Sequence, residues 1–221
     1  MKLALNAIIK LVLGLVLVGA MLFLPAGTFA WSGAWLFLAI LFIPMIFLGI
    51  ILLWKAPVLL KSRLDAKEKE SAQKGVVAAC GLLFPIGFIL SGLDFRFGLS
   101  SVPLWLVIVS SALFLIGYGL YAEVMRENEY LSRTVKVEEG QRVISSGLYG
   151  IVRHPMYAAT LLMFIPIPLI LGSFCGLIPF SVYLPLIIIR IISEERLLKK
   201  ELSGYSEYTK RVRYRLFPFV W

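Results

Sequence analysis

The chain has 221 residues, 60% of them hydrophobic and 16% charged, with a formal net charge of +9. That is too apolar for a soluble domain of this length, and the apolar residues fall in blocks about as long as a bilayer is thick. No stretch alternates with period two, which excludes a strand-built barrel and leaves an all-α integral membrane protein, a bundle of five to six transmembrane helices.

The blocks in chain order are 5–24, 31–53, a shorter 76–90, 102–121, and then 156–171 and 177–192 separated by GSFCG. The first block, ending in AGTFA before Trp31, has the outline of a secretory signal cleaved after Ala30, but it runs long for one and is expected to stay in place. A helix needs about 20 residues to cross the hydrocarbon, so the last two blocks barely reach. They read as a tight C-terminal helical hairpin, its turn bounded by Gly172 and Gly176 and its arms bent by Pro166, Pro168, Pro179 and Pro185. Carbonyls freed by those prolines need partners, so the hairpin is expected to pack against protein or line a cavity.

If the spans alternate, all 22 Lys and Arg except Arg96 fall on one side. Both termini and both long polar loops are then cytoplasmic. Positive-inside bias and contact with anionic membrane lipid account for the charge, so no nucleic acid is implied. We divide the chain into four N-terminal spans, 1–122, and a region 123–221 holding a cytoplasmic loop, the hairpin and a tail. Cys80 and Cys175 fall at different depths and are read as packing residues. One histidine and no paired cysteine spacing give no metal site.

Two polar stretches flank the hairpin and should meet, because a hairpin returns the chain to its starting side. The first, 140–157, reads GQRVISSGLYGIVRHPMY and holds the only histidine. Pro155 suits the first turn of a helix, which puts His154 at the cap and turns free backbone N–H groups toward the mouth. The plain alternative for Arg153, His154, Tyr149 and Tyr157 is anchoring at the membrane interface. The second stretch, 190–212, opens with Arg190 among isoleucines, four residues before Glu194 on the same helical face. A guanidinium at membrane depth costs several kcal/mol unless it snorkels or is paired, which makes Arg190 a functional candidate. Glu195, about a third of a turn away, is either a surface carboxylate paired to Lys199 or a catalytic group. Beyond it, Leu197, Leu198, Leu202, Tyr205, Tyr208 and Val212 recur at helical spacing among basic residues, the pattern of an amphipathic interfacial tail helix.

Absences narrow the chemistry. There is no dinucleotide fingerprint after a strand, no phosphate-cradling Walker sequence and no H-E-x-x-H pair.

The run VISSGLYGIVRHPMY, a hairpin, then R-x-x-x-E-E and a Tyr-rich basic tail resembles the isoprenylcysteine carboxyl methyltransferase family, related in outline to the phospholipid N-methyltransferases. The match covers about the last 80 residues; the first hundred match only as generic spans. The resemblance implies a membrane methyltransferase that binds S-adenosylmethionine (SAM) in a cytoplasmic-side pocket capped by the C-terminal segment, and acts on a lipophilic isoprenoid or lipid acceptor. Carried over by position, Val143, Ile144, Tyr149, His154, Pro155, Met156 and Tyr157 line that pocket, with Gln141 and Arg142 at its edge. Glu194 holds a polar part of SAM and Arg190 sits beside the acceptor. An amine acceptor would need Glu195 or His154 as base, whereas a carboxylate acceptor needs none, and the scarcity of bases leans the reading toward carboxylates. Two departures stand out: Ala159 replaces a usual glycine, and LSG, one residue shorter, precedes the tail tyrosines. Gly117 and Gly119 match a GxG of the phospholipid enzymes, a pair that close helix packing explains equally well.

The alternatives are a membrane-embedded reductase of the sterol or isoprenoid type using NADPH, and a small transporter or scaffold. A reductase should carry a longer polar C-terminal signature for nucleotide phosphates, and a transporter an internal repeat. The sequence has neither, and it says nothing of oligomeric state.

Overall fold

The computed structural model describes residues 2–64, 71–131, 137 and 140–221, with the backbone alone at 71–74. The basic residues at 67, 69, 133 and 136, used in the charge argument above, lie outside the described residues. Helices α1 (Lys2–Ala26), α2 (Ser32–Lys55), the short α3 (Pro57–Leu64), α4 (Ser71–Phe97) and α5 (Leu104–Glu127) come first. A 3₁₀ turn at Gly147–Gly150 precedes the hairpin, whose arms are α6 (Pro155–Phe164) with α7 (Ile167–Ile170), and α8 (Leu177–Ser181) with α9 (Tyr183–Glu201). The last helix is α10 (Tyr205–Arg211). Among the described residues five helices are long and apolar enough to span, and 155–170 is a shorter sixth. The chain is an integral, multi-pass membrane protein, and among the described residues its regular elements are all helices.

The third span is longer than its apolar block suggests, running over Gly75–Phe97. It continues through SGLDF because the polar groups there find partners. Ser91 Oγ donates to the Gly87 carbonyl at 2.8 Å. Asp94, 1% exposed, accepts from Ser100 N at 2.8 Å, from Cys175 N at 3.3 Å, and from the Ser100 and Ser173 hydroxyls. Thus a carboxylate on α4 fastens the hairpin turn to the α4–α5 turn. Nearby, Trp31 Nε1 donates 3.1 Å to the Leu171 carbonyl, just past the end of α7.

The hairpin packs centrally, α6 and α7 against α5, and α8 and α9 against α4. The core between them is aromatic and aliphatic: Phe37, Phe114, Phe180, Ile170 and Ile191 are 0% exposed. Phe84 meets Phe164 and Phe180 edge-on, with ring centroids 4.9 and 5.3 Å apart. Outward faces such as Ile8, Val12 and Val16 on α1, or Ile43 and Phe47 on α2, remain exposed as a lipid-facing belt requires. Gly117 on α5 explains how closely α6 approaches. A Cβ there would lie 2.9 Å from the Ala159 carbonyl oxygen and from Met163 Cγ. The glycine is thus accounted for by packing, and Ala159 is buried at the same contact.

The tail departs from the expected single amphipathic helix. Gly204, at φ +83°, breaks the chain between α9 and α10, a left-handed conformation that glycine takes without strain. Leu202, Tyr205, Tyr208 and Val212 then pack on Leu198, Val143 and Val137, so the apolar face covers protein rather than membrane.

Replacing Asp94 by Leu leaves two hydroxyls and two amides without their acceptor, so the unfolding midpoint in detergent should fall, with a loss of about 3 kcal/mol. Asp94→Asn, which can still accept, should lose less.

Candidate functional site

The two polar stretches meet at the end of the bundle opposite the Asp94 fastening. They line a pocket of about 100 Å³, formed from the loop by Gln141, Arg142, Val143, Ile144 and Tyr149, and from the head of α6 by Arg153, His154, Met156 and Tyr157. Arg190, Glu194 and Leu198 on α9, Leu202, and Tyr205 and Tyr208 on α10 complete it, with Asn128, Tyr130 and Leu131 after α5.

Local sequence accounts for the placement. His154 is the N-cap of α6 and Pro155 its first residue. Pro155 is buried and starts the helix but is absent from the lining, unlike the other residues assigned to the pocket from sequence. One turn into α6, Tyr157 is 4% exposed. It accepts a 2.9 Å hydrogen bond from Arg190 Nε, and its own hydroxyl donates to Glu194. Tyr157, on the opposite arm, thus bridges Arg190 and Glu194, which lie four apart on α9.

Glu195 is neither a surface carboxylate nor part of the lining. It is 4% exposed, with Lys199 out in solvent. Arg153 Nε donates to it at 2.7 Å and Arg215 Nε at 3.0 Å, and His154 Nε2 lies 3.2 Å away. Arg153 also donates through Nη1 to the Val212 and Arg213 carbonyls, both at 2.8 Å. The backbone follows: Arg153 N donates to Tyr214 O and His154 N to Arg215 O, each at 2.9 Å. Arg153 and His154 are thus buried fasteners of the C-terminal segment, not interfacial anchors.

The walls are aromatic. Tyr208 Oη donates 2.7 Å to the Tyr149 carbonyl, and Asn128 Nδ2 donates 2.8 Å to Tyr149 Oη. Burial pushes the phenol pKa values of Tyr149, Tyr205 and Tyr208 upward, so all three stay neutral. At Tyr205 the Glu195 and Glu194 carboxylates push the same way. Tyr205 is also the one described residue whose buried side-chain polar atom has no partner. A buried hydroxyl left unsatisfied is costly, and this one sits in a pocket wall. The sequence pattern left Tyr205 and Tyr208 either on the membrane or in a segment capping the pocket; the structure has both in the pocket wall. Nothing in the sequence marked Asn128, Tyr130 or Leu131. Among the described residues no group of three His, Cys, Asp or Glu is arranged to hold a metal.

Residues 105–203, from α5 to just past the end of α9, match the model of the phospholipid methyltransferase (PEMT) family. The chain is also similar to the Delta(14)-sterol reductase TM7SF2 of Mus musculus, 32% identical over 92 residues, which is 40% of this chain and 22% of that protein. The chain therefore spans about a fifth of that relative's length.

Glu195→Ala strands the buried Arg153 guanidinium and should cost about 3–5 kcal/mol. Trypsin should then cut faster after Arg211 and Arg213, while Glu194→Gln leaves that rate near wild type.

Proposed function

We propose that the chain is a SAM-dependent methyltransferase acting on a lipophilic acceptor, an isoprenoid or other lipid, at the cytoplasmic face of a membrane. On this reading both termini are cytoplasmic, the four spans of 1–122 are a scaffold and 123–221 carries the site. The observation that carries it is one pocket gathering the Glu194 carboxylate, three guanidinium groups and five tyrosines. The match of 105–203 to a phospholipid methyltransferase model supports the reaction class, and the tighter likeness to isoprenylcysteine carboxyl methyltransferases rests on the RHP-x-Y and EE motifs.

The residues fit SAM by their chemistry. Tyrosine faces and Glu194 suit an organic cation, and the unpartnered Tyr205 hydroxyl supplies a hydrogen bond that some ligand atom should complete. The pocket has a volume of about 100 Å³ and opens to the outside, which leaves a path for a ligand to enter.

When bound, SAM supplies a methyl group on a sulfonium, transferred by in-line displacement. The protein's task is alignment and exclusion of water. Tyr157 fixes the Glu194 carboxylate on one side and the Arg190 guanidinium on the other. Arg190 can grip an acceptor carboxylate with two parallel N–H groups, a geometry lysine lacks. A carboxylate acceptor loses no proton, so no base is needed; Glu195, held by Arg153 and Arg215, is left to structure. Glu194 and the pocket's edge residues Gln141 and Arg142 are placed to meet SAM's polar groups.

A second reading, an NADPH-dependent reductase, is favoured by the similarity to a sterol reductase. Equilibrium binding of SAM and of NADPH to the protein in detergent separates the two, and binding of NADPH alone would overturn the methyltransferase reading. Given SAM binding, Glu194→Gln should weaken it at least about tenfold and Tyr205→Phe about fivefold, the worth of one charged and one neutral hydrogen bond. Tyr205→Phe should melt no lower than wild type, because it removes an unsatisfied group. Arg190→Lys should keep SAM affinity and lose turnover by roughly a hundredfold, as misplacing an acceptor does.

A further inference from the structure

Beyond α10 the segment 214–221 folds into a closed turn. Arg215 N and Leu216 N donate to the Trp221 backbone oxygen at 2.8 and 3.0 Å, and Val220 N and Trp221 N donate to Phe217 O at 3.2 and 3.3 Å. The Arg215 guanidinium carbon lies 4.9 Å from the centre of the Trp221 ring. One side of the turn faces inward. Leu216 is 3% exposed and belongs to the buried cluster that holds Tyr157, Ile187 and Ile191, with Trp221 packed on it. The other side faces outward: Phe217, Phe219 and Val220 are 37, 88 and 79% exposed.

The level of the turn says what meets that outer side. His154 N donates to Arg215 O just before α6 begins its apolar run, and Arg215 Nε donates to Glu195, within the span Leu177–Glu201. The turn is therefore pinned where two membrane segments reach the boundary, at headgroups and first methylenes. Backbone strain points the same way. Phe219 is the one described non-glycine residue with a positive φ, +65°, a left-handed conformation that a Cβ disfavours. Its ring meets Tyr214, centroids 5.3 Å apart, and otherwise leaves the protein. Packing inside the protein returns little for that strain, whereas an aromatic ring in the membrane interface gains from its surroundings.

The exposed charges nearby agree. Lys210, Arg211 and Arg213 stand against Glu207, and Arg196, Lys199 and Lys200 against Glu201. Of the other described acids at this end, Glu127, Glu194 and Glu195 accept hydrogen bonds within the protein, Glu123 pairs with Arg126, and Glu129 is exposed. The tail thus keeps an excess of base suited to lipid phosphates.

We infer that the 217–220 turn inserts its phenyl rings into the surface of the bilayer, and that this contact holds down the segment covering the pocket. Tyr214 and Arg215, next to the turn, are bonded to Arg153, His154 and Glu195, and Val212 packs with Tyr205 and Tyr208. The inference does not rest on what the pocket binds.

Val220→Cys carrying a nitroxide label, with Cys80 and Cys175 replaced by alanine, reports the depth of the turn in phosphatidylcholine nanodiscs. Lys200→Cys, at an exposed base, is the control. The ratio of collisions with oxygen to collisions with a water-soluble nickel chelate should be severalfold higher at 220 than at 200. Phe219→Gly suits the positive φ, so it should melt no lower than its parent while the ratio at 220 falls toward that at 200. Trypsin should then cut that variant in nanodiscs after Arg211 and Arg213 about tenfold faster, the effect of taking one aromatic out of the apolar phase. Equal ratios at 220 and 200, or either readout unchanged in Phe219→Gly, would overturn the inference. A Phe219→Gly protein that melts lower would do the same, because the ring would then serve the fold. So would a label open to water in nanodiscs but shielded in native membrane fragments, where the turn would be docked on another protein.

Discussion

The buried carboxylate of Glu195 is the constraint on which the functional end depends. Two parts of the chain distant in sequence end at its two oxygens: Arg153 and His154 from the loop entering the hairpin, and Arg215 from the C-terminal segment. A carboxylate 4% exposed is tolerated because both oxygens accept charge-assisted bonds. Arg153 in turn holds the carbonyls of Val212 and Arg213, which fixes the strand-like return of the tail over the helix heads. With the tail fixed, Tyr205 and Tyr208 become pocket walls. Without it they would be free to lie on the bilayer, as their spacing alone suggests.

The hairpin is fastened at both ends by the same device. At the far turn Asp94 gathers Ser100, Ser173 and Cys175; at the near end Glu195 gathers Arg153, His154 and Arg215. Between them the proline-broken arms contribute shape more than hydrogen bonds, and aromatic packing about Phe84 and Phe180 fills the space. Two anchored ends and a packed middle give a rigid α6–α9 pair. That rigidity is what allows Tyr157 on one arm to register Arg190 and Glu194 on the other.

Much of this was legible in the sequence, and the failures have physical causes. Apolar block length gave the spans, and the glycines of GSFCG gave the hairpin, because both reflect the cost of backbone in hydrocarbon. The meeting of RHPMY with R-x-x-x-E-E followed from topology. The division of labour between Glu194 and Glu195 did not. Adjacent helical residues differ by about 100° in direction, and which direction is pocket depends on where Arg215 returns, a contact 20 residues away in sequence. The tail was misread for a related reason. Amphipathic periodicity reports that a face is buried, not what buries it, and the break at Gly204 is a choice of φ that the surrounding lysines and leucines do not announce. Asp94 lay hidden because its partners sit on two other turns.

The paired arginines show the same logic from the cationic side. Arg153, just before α6, and Arg190, in the middle of α9, both line the pocket, and both have polar partners. Arg153 spends Nε on Glu195 and Nη1 on two carbonyls, all groups the fold must satisfy anyway. Arg190 spends its Nε on a tyrosine hydroxyl that already serves Glu194, which ties it to the pocket wall. A guanidinium that closes the fold and another that faces the site need different neighbours. The arrangement supplies them by giving one acid to each: Glu195, turned into the protein, and Glu194, turned toward the pocket. One residue of helical offset separates the buried Glu195 from the pocket-lining Glu194 on a single turn of α9.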